Sequence, residues 1–418
     1  CAALLEREFD AKTIRVLLMD TGFKSVFHAS ADLVLGSGAD LEYENAKGKM
    51  VGERLEAGTQ LTVGPDSPYL EYGRMIITPD EPEAITIRSI ERSQGTPVYS
   101  GSLEIKGTPE GLVLVNDLFL EDYLTKVVPS EMPPSYEKEA LKAQAVCART
   151  YAYRQIQGNT YSQYGAHVDD STNFQVYNNT SANDKSTQAV KETYGKMLFY
   201  EDKPIEAFYF STSCGRTADA GVWGTDSGKY PYLRAVEVKE GGKSLGKEDN
   251  DGFESYIKRE DVIAYDTSYP MFRWQTDLPA DVASAQISGA GQIQDMTVTD
   301  RGPGGIAGEL TVTGSDGTVT IKGQSAIRSA LGNPSLIITK KDGGTMTGSA
   351  TLPSAFIAIE KRTGEDGSLS FHIYGGGFGH GVGMSQNGAQ GMAKTGKGYK
   401  QILDFFYHGT ELRECNEG

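Results

Sequence analysis

The residue types best suited to chemistry fall in four short segments. The first is Val127-Val-Pro-Ser-Glu131-Met-Pro-Pro-Ser135. It reads as a loop between an apolar strand and a long helix, with prolines at 129, 133 and 134 lowering its freedom. Val128 and Met132 supply apolar surroundings for Glu131. Desolvation of that kind is what a general acid working near neutrality requires. The bland alternative is an acidic residue beside a helix start, held by the helix dipole.

The second segment places Lys142 and Arg149 seven residues apart, hence on one helix face two turns from each other. Two cations there suit an anionic or polyhydroxyl substrate; taken alone, a solvated basic stripe, with Glu139 on the neighbouring face offering an ordinary ion pair, is the stronger reading. The third is Tyr209-Phe-Ser211-Thr-Ser213-Cys-Gly-Arg216-Thr217, followed by Val222-Trp223-Gly224. Hydroxyls and a guanidinium with an indole close by suit sugar recognition. No G-x-S-x-G elbow surrounds the serines, and Cys214 with His380 as base is a further, weaker nucleophile reading. In the fourth, Tyr374–Gly391, glycines crowd around His380 ahead of Ser385 and Gln386. The run lacks a P-loop ending and a Rossmann acid. Its glycines are therefore read as letting backbone pass close to another strand or a ligand.

The elements that must position these groups follow from punctuation and periodicity. Residues 13–120 read as short strands, Tyr136–Gln157 as the one strong helix and Ser181–Thr193 as a second. Residues 241–272 read as polar and irregular with a short helix at Arg259–Tyr265, and residues 291–340 as two strand pairs with a helix at Gly323–Leu331. A last helix is expected at Tyr399–Phe406. Gly counts 50 and Pro 16 in 418 residues, which favours strands and shaped loops over a helical bundle. A formal charge of −16 argues against nucleic acid as a partner. No apolar run reaches membrane-spanning length. Cys1 opens the chain, which fits either an acylated lipoprotein cysteine or a cut in a longer protein. The remaining cysteines, 147, 214 and 415, show no CxxC spacing.

Taken in order, several stretches together resemble the stage II sporulation protein D / LytB (SpoIID/LytB) family. They are Val115–Leu124, Val127–Pro133, Glu139–Ala145 with Ala148–Tyr151, Gln175-Val-Tyr177, Ser211–Ser213 with Gly215–Thr217, Val222-Trp-Gly224, Gly379–Gln386 and Gly409–Leu412. Weaker likeness lies at Lys12–Met19, Arg273-Trp274 and Ile327–Gly332. The resemblance implies a peptidoglycan lytic transglycosylase, acting outside the cytoplasmic membrane on glycan strands stripped of stem peptides, in sporulation or cell-wall remodelling. It implies that Glu131 is the catalytic acid and that Lys142 and Arg149 are functional cations. Gln144, Tyr177, Ser211, Ser213, Arg216, His380, Ser385 and Gln386 complete the expected substrate-binding set. A non-catalytic cell-wall amidase modifier is the alternative that the LytB side of the family suggests.

Some members of the family hold zinc through a His and two Cys before the Gln-x-Tyr segment. Here that region reads His167–Tyr177 without cysteine, so neither metal nor cofactor is expected, His167 with Asp169 or Asp170 being a poor ligand set. Cys214 also stands where the family has a small residue. The expected fold is α+β: mostly β, with a long helix lining a substrate groove and a β-rich accessory region. The expected divisions are 1–100, 101–240 with the Glu131 loop and helix, 241–345, and 346–418 completing the core. Expected partners are peptidoglycan glycan strands and other cell-wall or sporulation proteins. The expected location is extracytoplasmic, secreted or membrane-anchored through a segment preceding this sequence.

Overall fold

A computed structural model of the chain describes residues 12–415. It is mixed α/β with more strand than helix, and it divides into two compact units. The first runs to Glu206 and regains the strand Glu411–Glu414; the second is Ala207–Thr410. The chain passes between the two units at 206/207 and 410/411. Strands on both sides of residue 100 share one seven-stranded sheet.

That sheet runs Val168–Asp169, Thr13–Leu18, Gly111–Phe119, Ser102–Thr108, Arg74–Pro79, Ala39–Glu44, Met50–Leu55. Gly111–Phe119 is an interior strand, third in that order. Leu112, Val113, Leu114 and Val115 are all buried, as expected for an apolar run covered on both faces. Val113 and Val115 pack with Leu17 and Ala166 on one side. At the edge, Arg92 and Asp170 form a fully buried ion pair at 2.5 Å, which fastens the residue 92 turn to the end of Val168–Asp169.

Three helices follow. Helix α1 is Leu120–Glu131, α2 is Lys138–Ile156 and α3 is Asp184–Glu192. Helix α1 replaces the expected loop around Glu131. Its buried residues Leu120, Tyr123, Leu124, Val127 and Val128 recur at i, i+3, i+4, i+7 and i+8, one stripe of a helix. Burying each such side chain contributes about 1.5–3 kcal/mol. Together they outweigh the ~3 kcal/mol penalty of Pro129 in the last turn. Helix α2 is buried nearly all round, with Ala140, Ala143, Ala145, Ala148 and Ala152 all inaccessible. It packs against α1, α3 and the strand Lys196–Tyr200. Thr150 Oγ1 accepts the Leu198 N–H at 3.0 Å and so fixes that strand to the helix.

The second unit holds a five-stranded sheet, ordered Thr345–Thr347, Ile337–Lys340, Trp274–Pro279, Leu369–Gly375, Ile357–Thr363. A three-stranded meander, Ile293–Arg301, Ala307–Gly314 and Gly317–Lys322, replaces the expected strand pairs. The helix expected at Arg259–Tyr265 lies instead at Asn250–Ile257, where Asp249 caps it by accepting the Gly252 N–H at 2.7 Å. The helix Tyr399–Phe406 forms as expected. In the glycine-rich stretch, Gly377 and Gly383 adopt φ of 81° and 77°. A Cβ at Gly383 would meet the Phe208 carbonyl at 2.0 Å, so close passage of two backbones requires glycine there. Among the described residues, no helix is long and apolar enough to cross a membrane.

Candidate active site

Glu131 ends α1 and extends its buried stripe, four residues after Val127 and three after Val128. Its side chain is half-buried, and Oε1 accepts the Val176 N–H at 2.6 Å. The donor is aimed by a loop that grips both neighbouring helices. Gln175 Nε2 donates to the Ala148 carbonyl of α2 at 3.2 Å, and Tyr123 of α1 donates to Gln175 Oε1 at 3.3 Å. Tyr177 packs its ring on Tyr123 at 4.9 Å, and its hydroxyl donates to Asn116 Oδ1 at 2.8 Å. Ser130, one residue before the glutamate, donates to the Lys126 carbonyl and accepts the N–H groups of Asn179 and Thr180. The carboxyl is thus placed by a backbone donor on a loop with several independent anchors. Burial, then Glu206, then the charge of Glu131 push the Tyr151 hydroxyl up; for Tyr123 burial leads and Glu131 follows.

Of the residues expected to touch substrate, Tyr177, Gln144, Arg149 and Lys142 lie in the first unit. Tyr177 is 1% exposed and shapes the loop. Gln144 is buried inside α2. Arg149 is fully buried and bidentate to Glu121, at 2.6 Å and 2.8 Å, with further donation to the Val190 and Lys196 carbonyls. It ties α1, α2 and α3 together, and its charge is met inside the protein. Lys142 pairs with Glu139 at 3.0 Å and Glu192 at 2.8 Å. Lys138 and Lys142 together draw the Glu192 carboxyl down to about 2. Arg149 is thus an internal anchor among three helices, and Lys142 is held between two partly exposed glutamates, Glu139 and Glu192.

The other candidates lie in the second unit. Ser213 and Ser385 are both 0% exposed and converge on buried Asp266. Ser213 donates through N–H at 2.7 Å and through its hydroxyl at 2.8 Å, and Ser385 donates at 2.8 Å. Burial pushes the Asp266 carboxyl up to about 6 against the pull of these donors. Arg216 lies 3.6 Å above the Tyr256 ring and pairs with Glu248. Ser211 is half-buried beside Thr212, and Gln386 opens the helix Gln386–Lys394 with 8% exposure.

His380 sits among Trp223, Phe210 and Phe208, with ring centroids at 5.4, 5.8 and 6.1 Å, and Trp223 stays 39% exposed. Burial lowers the His380 imidazole to about 4. Its Nδ1 accepts the Val382 N–H. Burial pushes the Cys214 thiol up to about 11, so the thiol stays neutral and the Cys214–His380 peptidase reading loses its nucleophile.

His167, Asp169 and Asp170 do not converge. His167 Nδ1 accepts the Arg15 N–H, Asp169 accepts from Ser171, Tyr161 and Asn173, and Asp170 pairs with Arg92. Among the described residues no three His, Cys, Asp or Glu side chains cluster. Asn116, Tyr123, Ser130, Gln175 and Asp266 were missed as positioning groups. Asn116, Tyr123, Ser130 and Gln175 stand inside the family-like stretches, which is the available signal; Asp266 lies outside them.

A strand–helix unit that holds one carboxyl by a loop N–H defines a compact acid-bearing module, and the comparisons give it a family. The stage II sporulation protein model matches residues 108–200, and a domain of unknown function matches residues 220–383. The chain is 32% identical over 342 residues to stage II sporulation protein D of Bacillus subtilis, covering 77% of this chain and 84% of that protein. It is 32% identical over 317 residues to the same-named protein of Bacillus amyloliquefaciens, covering 72% and 76%. An amidase enhancer of Bacillus subtilis is 32% identical over 311 residues, covering 69% of this chain and 40% of the enhancer. The chain belongs to the stage II sporulation protein D family.

Arg149→Met should lower stability by about 3 kcal/mol in urea unfolding, because it strands Glu121, whereas Lys142→Met should cost under about 1 kcal/mol. A stable Arg149→Met protein that no longer binds glycan would return Arg149 to the substrate. The depressed His380 value makes the folded state bind fewer protons than the unfolded state between about 4 and the ordinary 6.5. The histidine's contribution is whole above 6.5 and is lost as pH falls toward 4. Melting temperatures of His380→Gln should therefore fall less steeply with acid than those of the parent; parallel curves would refute this.

Proposed function

We propose that the protein is a lytic transglycosylase, acting outside the cytoplasm on denuded peptidoglycan strands during sporulation or wall remodelling. The observation that carries this reading is the half-buried Glu131 carboxyl, held through Oε1 by the Val176 N–H within the family-matched segment. A neutral carboxylic acid also accepts that N–H through its carbonyl oxygen, so the contact serves both protonation states. The neighbouring carboxylates Glu121, Glu139, Glu192 and Glu206 are each engaged with Arg or Lys.

The chemistry asks for one such group. Protonated Glu131 gives its proton to the oxygen bridging N-acetylmuramic acid and N-acetylglucosamine as the C1–O bond breaks. The muramyl C6 hydroxyl then closes onto C1, and its proton returns to the Glu131 carboxylate. The product is a 1,6-anhydro end; no water enters and no second catalytic carboxylate is required, unlike ordinary glycoside hydrolysis. The exposed face of Trp223 supports sugar packing in the second unit.

The likeness to an amidase enhancer favours one second reading, a glycan-binding modifier that stimulates an amidase without cutting. Other cell-wall or sporulation proteins are proposed partners under either reading. The test is mass analysis of denuded strands for 1,6-anhydro ends. The parent should produce them, and Glu131→Gln should lower the rate about a thousand-fold with binding retained. Undiminished cleavage by Glu131→Gln would remove the acid. Binding without product, together with stimulation of an added amidase, would select the second reading.

A further inference from the structure

We infer that the second unit carries a separate site for a small oxyanion, within the segment that matches a domain of unknown function. A cavity of about 240 Å³ opens between the end of the helix Asn250–Ile257, the start of the strand Trp274–Pro279 and the turn after Ile337–Lys340. Lys258, Arg273, Lys340 and Lys341 line it, against a single carboxylate, Glu260. That is a local reversal of sign in a chain whose formal charge is −16.

Arg273 is the telling member. It is 7% exposed, and its N–H groups go to carbonyl oxygens of Arg259, Cys214 and Phe272 at 3.0, 2.8 and 2.9 Å. Its guanidinium carbon lies 4.4 Å from the Phe272 ring and 5.2 Å from the Tyr256 ring. Those contacts satisfy hydrogen bonds and leave the charge without a carboxylate among the described residues. A buried charge in that condition is costly until a counter-ion meets it.

The lysines are more accessible, Lys340 half-buried and Lys341 exposed. Lys341 donates to the Thr267 carbonyl at 2.8 Å, and Lys340 has no ion pair among the described residues. Lys258 alone of these four cations pairs with carboxylates among the described residues, Glu254 at 2.6 Å and Glu360 at 3.3 Å. An anion entering the cavity supplies the missing counter-charge to three cations at once. Ammonium groups on flexible stems suit carboxylate or phosphate oxygens alike. Tyr374, under Lys258 at 4.8 Å, offers a ring wall for the body of the ligand. A space of about 240 Å³ accommodates a group the size of one sugar ring.

The test titrates the full chain with inorganic phosphate, glucuronate and glucose at low ionic strength, followed by calorimetry. At least one anion should bind saturably with one site per chain while glucose does not, and the tighter anion identifies phosphate or carboxylate as the natural group. Lys340→Glu, a change on an accessible side chain, should weaken that binding about tenfold. It should also raise the melting temperature, because it brings a carboxylate to the uncompensated cations. Lys229→Glu, away from this cavity, should leave the affinity unchanged. Absence of saturable anion binding, equal binding of glucose, or an affinity indifferent to Lys340→Glu would each overturn the proposal. None of these outcomes bears on Glu131, so the two proposals stand or fall separately.

Discussion

The hydrogen bond from the Val176 N–H to Glu131 Oε1 is the contact on which the first unit's candidate site depends. A glutamate has three rotatable bonds, and at the end of a helix nothing intrinsic fixes them. Here a main-chain donor chooses one oxygen, and a side chain of one helix, a carbonyl of the next and a side chain of an interior strand hold the donor in place. Gln175 and Tyr177 are the arms of that loop, and Ala148, Tyr123 and Asn116 are where they attach. The Gln-x-Tyr spacing then has a plain physical meaning. Alternate residues reach into the protein, and the residue between them presents its N–H to the acid.

Around this point the molecule uses buried charge for position. Arg149 joins three helices through Glu121 and two carbonyls, and Arg92 with Asp170 fastens a sheet edge. In the second unit Asp266 gathers Ser213 and Ser385. Such groups add little net stability, since desolvation offsets attraction, but they penalise any arrangement that separates them. That explains how polar residues that looked like substrate contacts end as internal fasteners.

Much of this was legible in the residues. The long helix, the Tyr399–Phe406 helix and the close backbone passage at the glycine-rich stretch follow from local signals: absence of breakers, apolar spacing and glycine itself. Helix α1 was not foreseen, although Leu120, Tyr123, Leu124, Val127 and Val128 carry the helical period. Pro129 reads as a breaker, and only the burial of that stripe reveals that packing overrides it. Lys142 and Arg149 were correctly set on α2, yet their partners Glu192 and Glu121 come from other helices. Asp266 was hidden for the same reason. Its serines lie 53 and 119 residues away, and no local pattern encodes such a meeting.

The most direct measurement is digestion of denuded glycan in water enriched in oxygen-18, with the isotope located in the products by mass spectrometry. Ring closure by the sugar's own C6 hydroxyl should give 1,6-anhydro ends without label. Oxygen-18 at C1 of a reducing end would show that water attacks, and the one-carboxyl account of Glu131 would be contradicted.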